Sequence, residues 1–168
     1  MKRQVLLLMG VSGSGKTTVG ALLAGRLSWP YADADAFHPA ANVAKMAAGH
    51  PLTDNDRAPW LLSIRAWIDE RLANSEPAVV SCSALQRSYR DVLRRPEVIF
   101  VYLRGTRAEV EPRMIARQGH FFEPAMLDSQ FAALEEPAAD EHVITVSIVG
   151  TPGEIVDRIM AATGVSDE

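Results

Sequence analysis

Cysteine is almost absent: Cys82 alone stands among 168 residues. That scarcity excludes an internal disulfide framework and a cysteine-built zinc site, and it points to a reducing cytoplasm. Positive charge is also short, with 17 Lys and Arg against 21 Asp and Glu and a net charge of −4. An acidic balance argues against a nucleic-acid partner, although a local arginine cluster can still hold a small anion. No apolar run approaches the roughly 20 residues of a membrane span, so no membrane partner is expected. Met1-Lys2-Arg3 and the apolar run behind it resemble the start of a secretory leader, but Gly10 interrupts the run too early. Repeats and low-complexity tracts are missing, which leaves residues 1–168 as one domain with one core.

What is there is concentrated near the start. Val5-Leu6-Leu7-Leu8-Met9 reads as a strand buried on both faces, and Gly10-Val11-Ser12-Gly13-Ser14-Gly15-Lys16-Thr17 follows at once. The glycines let the backbone fold round an anion and aim successive N–H groups inward. Lys16 has the reach for β- and γ-phosphates, and the Thr17 hydroxyl is placed to ligate Mg²⁺. Val19, Leu22, Leu23 and Leu27 then form one stripe of a helix whose positive end faces the same phosphates. The expected nucleotide-binding set runs from Gly10 through Thr18, with ATP as the ligand.

Further strands are expected at Pro30–Asp33, Ala78–Cys82, Val98–Leu103 and His142–Ile148. A small helix opens after His38-Pro39 and stops at Gly49, and a long amphipathic one runs from about Asp54 to Asn74. Helix starts with capping-box spacing are read at Ser83…Gln86, Thr106…Glu109 and Thr151…Glu154. Five strands alternating with helices imply an α/β three-layer fold: a five-stranded parallel sheet with helices on both faces. Ligands bind such sheets at the carboxyl ends of the strands.

Several polar residues fall at those ends. Asp33 and Asp35 close the second strand, and a phosphoryl transferase needs one carboxylate for the metal and another for the attacking hydroxyl. Asp33 is assigned to the metal and Asp35 to the acceptor; the spacing also allows the reverse. Arg57 opens the long helix, where the helix dipole disfavours a cation, and its planar fork suits a carboxylate. His38, Lys45 and Arg87 are further candidates for an anionic substrate. Arg87, Arg90 and Arg94 share one helical face and read as a solvated set. Arg113 and Arg117 lie four apart on another helix, and Gly119 breaks it before a new one near Pro124. That pattern fits a mobile helical lid over about 106–137, whose arginines stabilise charge during transfer. The loop Val149-Gly150-Thr151-Pro152 ends a strand at the correct edge for adenine.

With these residues in view the chain resembles the gluconate kinases, phosphate-loop small-molecule kinases related in fold to shikimate and adenylate kinases. The resemblance rests on the loop from Met9 to Lys16, Asp33-Ala34-Asp35 with His38-Pro39, and Lys45-Met46…Gly49. It extends through Pro51–Arg57 with Pro59-Trp60-Leu61, Cys82–Leu85, Tyr89-Arg90-Asp91 and Gly119-His120-Phe121-Phe122. Ser129-Gln130-Phe131…Leu134-Glu135…Pro137 also fits. It implies transfer of the ATP γ-phosphoryl group to the 6-hydroxyl of D-gluconate with Mg²⁺, by a cytoplasmic homodimer. It also brings His120 into the substrate set. One departure stands at Gln86, where the family commonly carries a basic residue. The alternatives are a kinase for another small anion such as shikimate, or a non-catalytic nucleotide switch. No Asn-Lys-x-Asp guanine-reading run supports the switch.

Overall fold

Leu6 and Leu8 of strand β1 (Val5–Met9) enter one core, while Val5, Leu7 and Met9 enter a second on the opposite face. The alternation follows from the two-residue period of a strand, and burial on both sides explains the unbroken apolar run. All five side chains are fully buried; each contributes about 1.5–3 kcal/mol by leaving water. The chain is described here by a computed structural model covering residues 4–167, so Met1-Lys2-Arg3 lie outside the described residues.

β1 pairs in parallel with β3 (Ala78–Ser81) and β4 (Val98–Arg104). β2 (Tyr31–Asp33) flanks β3 and β5 (Ile144–Ser147) flanks β4, giving the all-parallel order β2-β3-β1-β4-β5. The chain therefore turns one way from β1 to reach β3 and the other way to reach β4. The crevice at that switch lies beyond Met9, where a ligand is expected.

Helices α1 (Lys16–Leu27) and α7 (Pro152–Thr163) cover the Leu6/Leu8 face, joined by the buried residues of α5 (Arg107–Gln118) and α6 (Pro124–Ala133). The opposite face is covered by α3 (Asp54–Ala73), through Trp60, Leu61, Ile64, Ile68 and Leu72, and by Leu93 of α4 (Arg87–Leu93). The short α2 (Ala40–Ala47) sits ahead of α3. α1 crosses the sheet closely at Gly20, where a Cβ would meet Ser81 Oγ and Tyr31 Cε2 at 2.7 Å.

The expected capping boxes form at Thr106–Glu109, and Thr151 accepts from the Glu154 N–H; a further box closes at Thr53–Asp56. The one read at Ser83 does not form. α4 starts at Arg87 with Gln86 before it, and no side chain caps it. Ala84 takes a left-handed φ of 44°, which turns the chain before the helix can begin. β5 is shorter than expected, because His142 has φ 54° and cannot continue a strand. The reading of Arg90 as solvated is also corrected. It is fully buried, with Nε 2.7 Å from Glu141 Oε1 and Nη2 3.1 Å from Oε2. Its Nη1 donates to the carbonyls of Ala84 and Leu85, so it braces the same turn.

Candidate active site

The loop between β1 and α1 wraps a cavity of about 410 Å³ at the carboxyl edge of the sheet. Among the residues lining it are Lys16, Thr17, Thr18, Asp33, Asp35, Arg113 and Arg117, which four separate elements deliver to one place. Gly13 shows why the loop needs glycine. Its φ is 79°, and a Cβ there would meet Met114 Sδ at 2.6 Å. Met114 and Val110 are buried, so the first turns of α5 are packed directly on the loop.

Lys16 folds back on its own loop, donating from Nζ to the carbonyl oxygens of Gly10 at 2.8 Å and Val11 at 3.0 Å. Burial pushes its pKa down to about 8, partly opposed by the charges of Asp35 and Asp33. The first turn of α1 is pinned from below. Tyr31 Oη bonds Ser81 Oγ at 3.0 Å, and Ser81 Oγ donates to the Lys16 carbonyl at 3.0 Å.

Asp33 ends β2, and its two oxygens are already engaged. Oδ1 accepts the Asp35 N–H at 2.9 Å, and Oδ2 accepts the Thr17 hydroxyl at 3.1 Å. The contact from Asp33 leaves Asp35 in a 3-10 turn (Ala34–Phe37), exposed and facing the cavity. Thr17 and Asp33 place two hard oxygen donors together, which is the set Mg²⁺ accepts alongside phosphate oxygens. Cys82 also lines the cavity wall, but burial pushes its thiol up to about 12 and removes it as a nucleophile.

The remaining expected substrate residues, His38, Lys45, Arg57, Arg87 and His120, are not among those lining this cavity. The His38 ring stacks on Trp60 at 4.5 Å with an interplanar angle of 9°. Asn42 Nδ2, which also donates to the Asp56 carbonyl, lies 3.2 Å from His38 Nδ1. An amide nitrogen can only donate, so Nδ1 accepts and the ring hydrogen sits on Nε2. Burial lowers the His38 pKa, while Asp35 opposes and Arg57 reinforces that shift, which places all three within electrostatic reach. Arg57 Nη1 lies 3.2 Å from Tyr89 Oη and 3.4 Å from Asp54 Oδ1, and Tyr89 donates to Asp54 at 2.6 Å. Lys45 is held by Asp56 at 2.6 Å, and Arg87 forms a two-bond fork with Asp140 at 2.6 and 3.1 Å. His120 is exposed on a 3-10 turn (Gly119–Phe121) against Phe121, away from the cavity.

Ser83 after β3, Gln130 on α6 and Ile155 on α7, to which the sequence assigns no role at the site, also line the cavity, as does Pro152 from the loop expected to meet adenine. Arg113 Nη2 donates to the Ile148 carbonyl, tying α5 to the strand end just before α7.

The chain is similar in sequence and in structure to known small-molecule kinases. The shikimate kinase family pattern matches residues 12–160. The gluconokinase of Gluconobacter oxydans (strain 621H) is 45% identical over 95% of this chain and 91% of its own length. The thermoresistant gluconokinase of Escherichia coli (strain K12) is 42% identical over 95% of this chain and 90% of its own. A solved gluconokinase from Sinorhizobium meliloti 1021 superposes with a TM-score of 0.85 at 43% identity, covering 96% of this chain and 92% of that one.

Proposed function

The chain belongs to the gluconokinase family, and from that membership we propose that it transfers the γ-phosphoryl group of ATP to the 6-hydroxyl of D-gluconate. The observation that carries this reading is the meeting of Lys16, Asp33, Asp35 and Arg117 at one cavity. Lys16 senses the charge of the other three.

In this reading the backbone N–H groups of Gly13 to Thr18 cradle the inner phosphates, and Lys16 exchanges the Gly10 and Val11 carbonyls for β- and γ-oxygens. Thr17 and Asp33 would hold Mg²⁺, which when bound neutralises charge on the phosphates. Asp35 accepts the proton of the 6-hydroxyl, the freed oxygen forms its bond to the γ-phosphorus, and the bond to the bridging oxygen breaks to release ADP. Arg113 and Arg117 stabilise the charge that spreads over the transferred group. Pro152 and Ile155 give the adenine an apolar wall. Arg57, steered by Asp54 and Tyr89, supplies the cation for the gluconate carboxylate, with His38 beside it.

The lid in this reading is the outer part of the segment over about 106–137. Val110 and Met114 anchor its near end in the core. Closure then brings Arg117 and His120 toward the bound substrates. A reducing cytoplasm suits the single buried Cys82, and a homodimer follows from family resemblance. The experiment is a screen of sugar acids with ATP and Mg²⁺, read by ADP release. Gluconate should stand out, and shikimate should not.

A further inference from the structure

Gln130 reaches the phosphate loop from a helix 118 positions away: its Oε1 accepts the Ser12 N–H at 3.3 Å and lies 3.3 Å from Ser12 Oγ. A backbone N–H can only donate, so the oxygen of the amide must face Ser12. The Gln130 nitrogen is therefore presented from the same end group, and it meets no protein acceptor among the described residues. The placement is built into the fold. Leu127, one turn earlier on the same helix face, is buried in the core, and Arg107 of α5 pairs with Asp128 of α6.

The end of the loop it touches is informative. Lys16 Nζ lies on the carbonyls of Gly10 and Val11, immediately before Ser12, whereas the amides nearer Thr17 open α1. Lysine at this loop reaches β- and γ-phosphates while the amides take the inner ones, so Ser12 marks the terminal-phosphoryl end. Gln130 Oε1 thus occupies a donor that a phosphoryl oxygen could use.

We propose that Gln130 is a terminal-phosphoryl contact. Its carbonyl holds Ser12 when the site is free of nucleotide, and its Nε2–H donates to the γ-phosphoryl oxygens once a triphosphate is bound. α6 thereby distinguishes triphosphate from diphosphate. This inference rests on the nucleotide-site reading proposed above, but not on the identity of the acceptor.

Calorimetric titration with ADP and with a non-hydrolysable ATP analogue, both with Mg²⁺ and without gluconate, tests it. Gln130→Glu keeps an acceptor for Ser12 but replaces the donor with a negative charge. Analogue affinity should then fall about tenfold or more while ADP affinity changes less than about threefold, since a lost charge-assisted bond exceeds a lost neutral one. Gln130→Met, similar in length and without polar atoms, should lower analogue affinity about three- to tenfold and again spare ADP. Equal losses for both nucleotides, or no loss for the analogue, would overturn the proposal. Failure of the unsubstituted protein to bind either nucleotide would instead overturn the nucleotide-site reading itself. Binding of both without gluconate turnover would overturn only the acceptor.

Discussion

Thr17 Oγ1 donates to Asp33 Oδ2 across 3.1 Å, so the end of the phosphate loop and the end of β2 share one hydrogen bond. The same carboxylate uses its other oxygen to hold the Asp35 N–H at 2.9 Å. Asp33 thus fixes the Thr17 hydroxyl and the Asp35 backbone at once.

Asp33→Asn keeps the shape but removes the charge. The Mg²⁺ concentration for half-maximal turnover should rise about tenfold or more, because Mg²⁺ depends on the one or two protein carboxylates it keeps. An unchanged Mg²⁺ requirement would remove Asp33 from the metal site.

Asp35→Asn should lower kcat by about 10²–10⁴, the worth of a positioned general base, and change KM for gluconate far less. A change confined to KM would make Asp35 a binding residue.

The lowered pKa of Lys16 makes nucleotide binding sensitive to pH. Burial sets it at about 8. Phosphates favour the charged ammonium and raise the pKa on binding. Near pH 8 binding should take up about half a proton, and affinity should fall as pH rises from 8 toward 10. Calorimetry in buffers of different ionisation enthalpy measures the uptake. Release of a proton at pH 8 would contradict the assignment.

Arg57→Ala should weaken gluconate binding by about 1.5–3 kcal/mol, the worth of a charge-assisted hydrogen bond, and leave ATP binding unchanged. An equal loss with an uncharged polyol of the same length would show that Arg57 does not read the carboxylate.

Arg90 and Glu141 form a fully buried pair, with side chains 0% and 1% exposed. Bonding to Arg90 holds the Glu141 pKa at about 2, below its ordinary 4.5. A depressed carboxylate contributes stability above its unfolded value and loses it as pH falls toward the folded one. Tm of the unaltered protein should therefore drop between about pH 4.5 and 2 in part through this group, and Glu141→Gln should flatten that limb. Arg90→Ala leaves the buried Glu141 only the partly exposed Arg94, 3.2 Å from Oε1, as an ion-pair partner and should cost up to about 3–5 kcal/mol by chemical denaturation.

The phosphate loop was legible in the sequence because its strand, glycines, Lys16 and Thr17 are contiguous, and each has a duty set by local geometry. The sheet followed from the alternation of apolar runs and helical stripes. Pairings distant in the chain were not legible. Periodicity placed Arg90 on a face with Arg87 and Arg94 but could not supply Glu141, which is 51 positions away. A left-handed Ala84 carries no sequence mark, so the start of α4 was read too early. Gln130 stood within a run that resembles the family, yet its partner Ser12 lies at the other end of the chain. Lys45 and Arg87 read from the sequence as candidates for an anionic substrate, and the structure pairs them with Asp56 and Asp140.

The most direct test is phosphorus NMR of the unaltered protein with ATP, Mg²⁺ and D-gluconate. The account predicts loss of the γ-phosphate signal matched by growth of a sugar-6-phosphate ester, with ADP in equal amount and no such ester from shikimate. Formation of inorganic phosphate at the same rate with and without gluconate would contradict it.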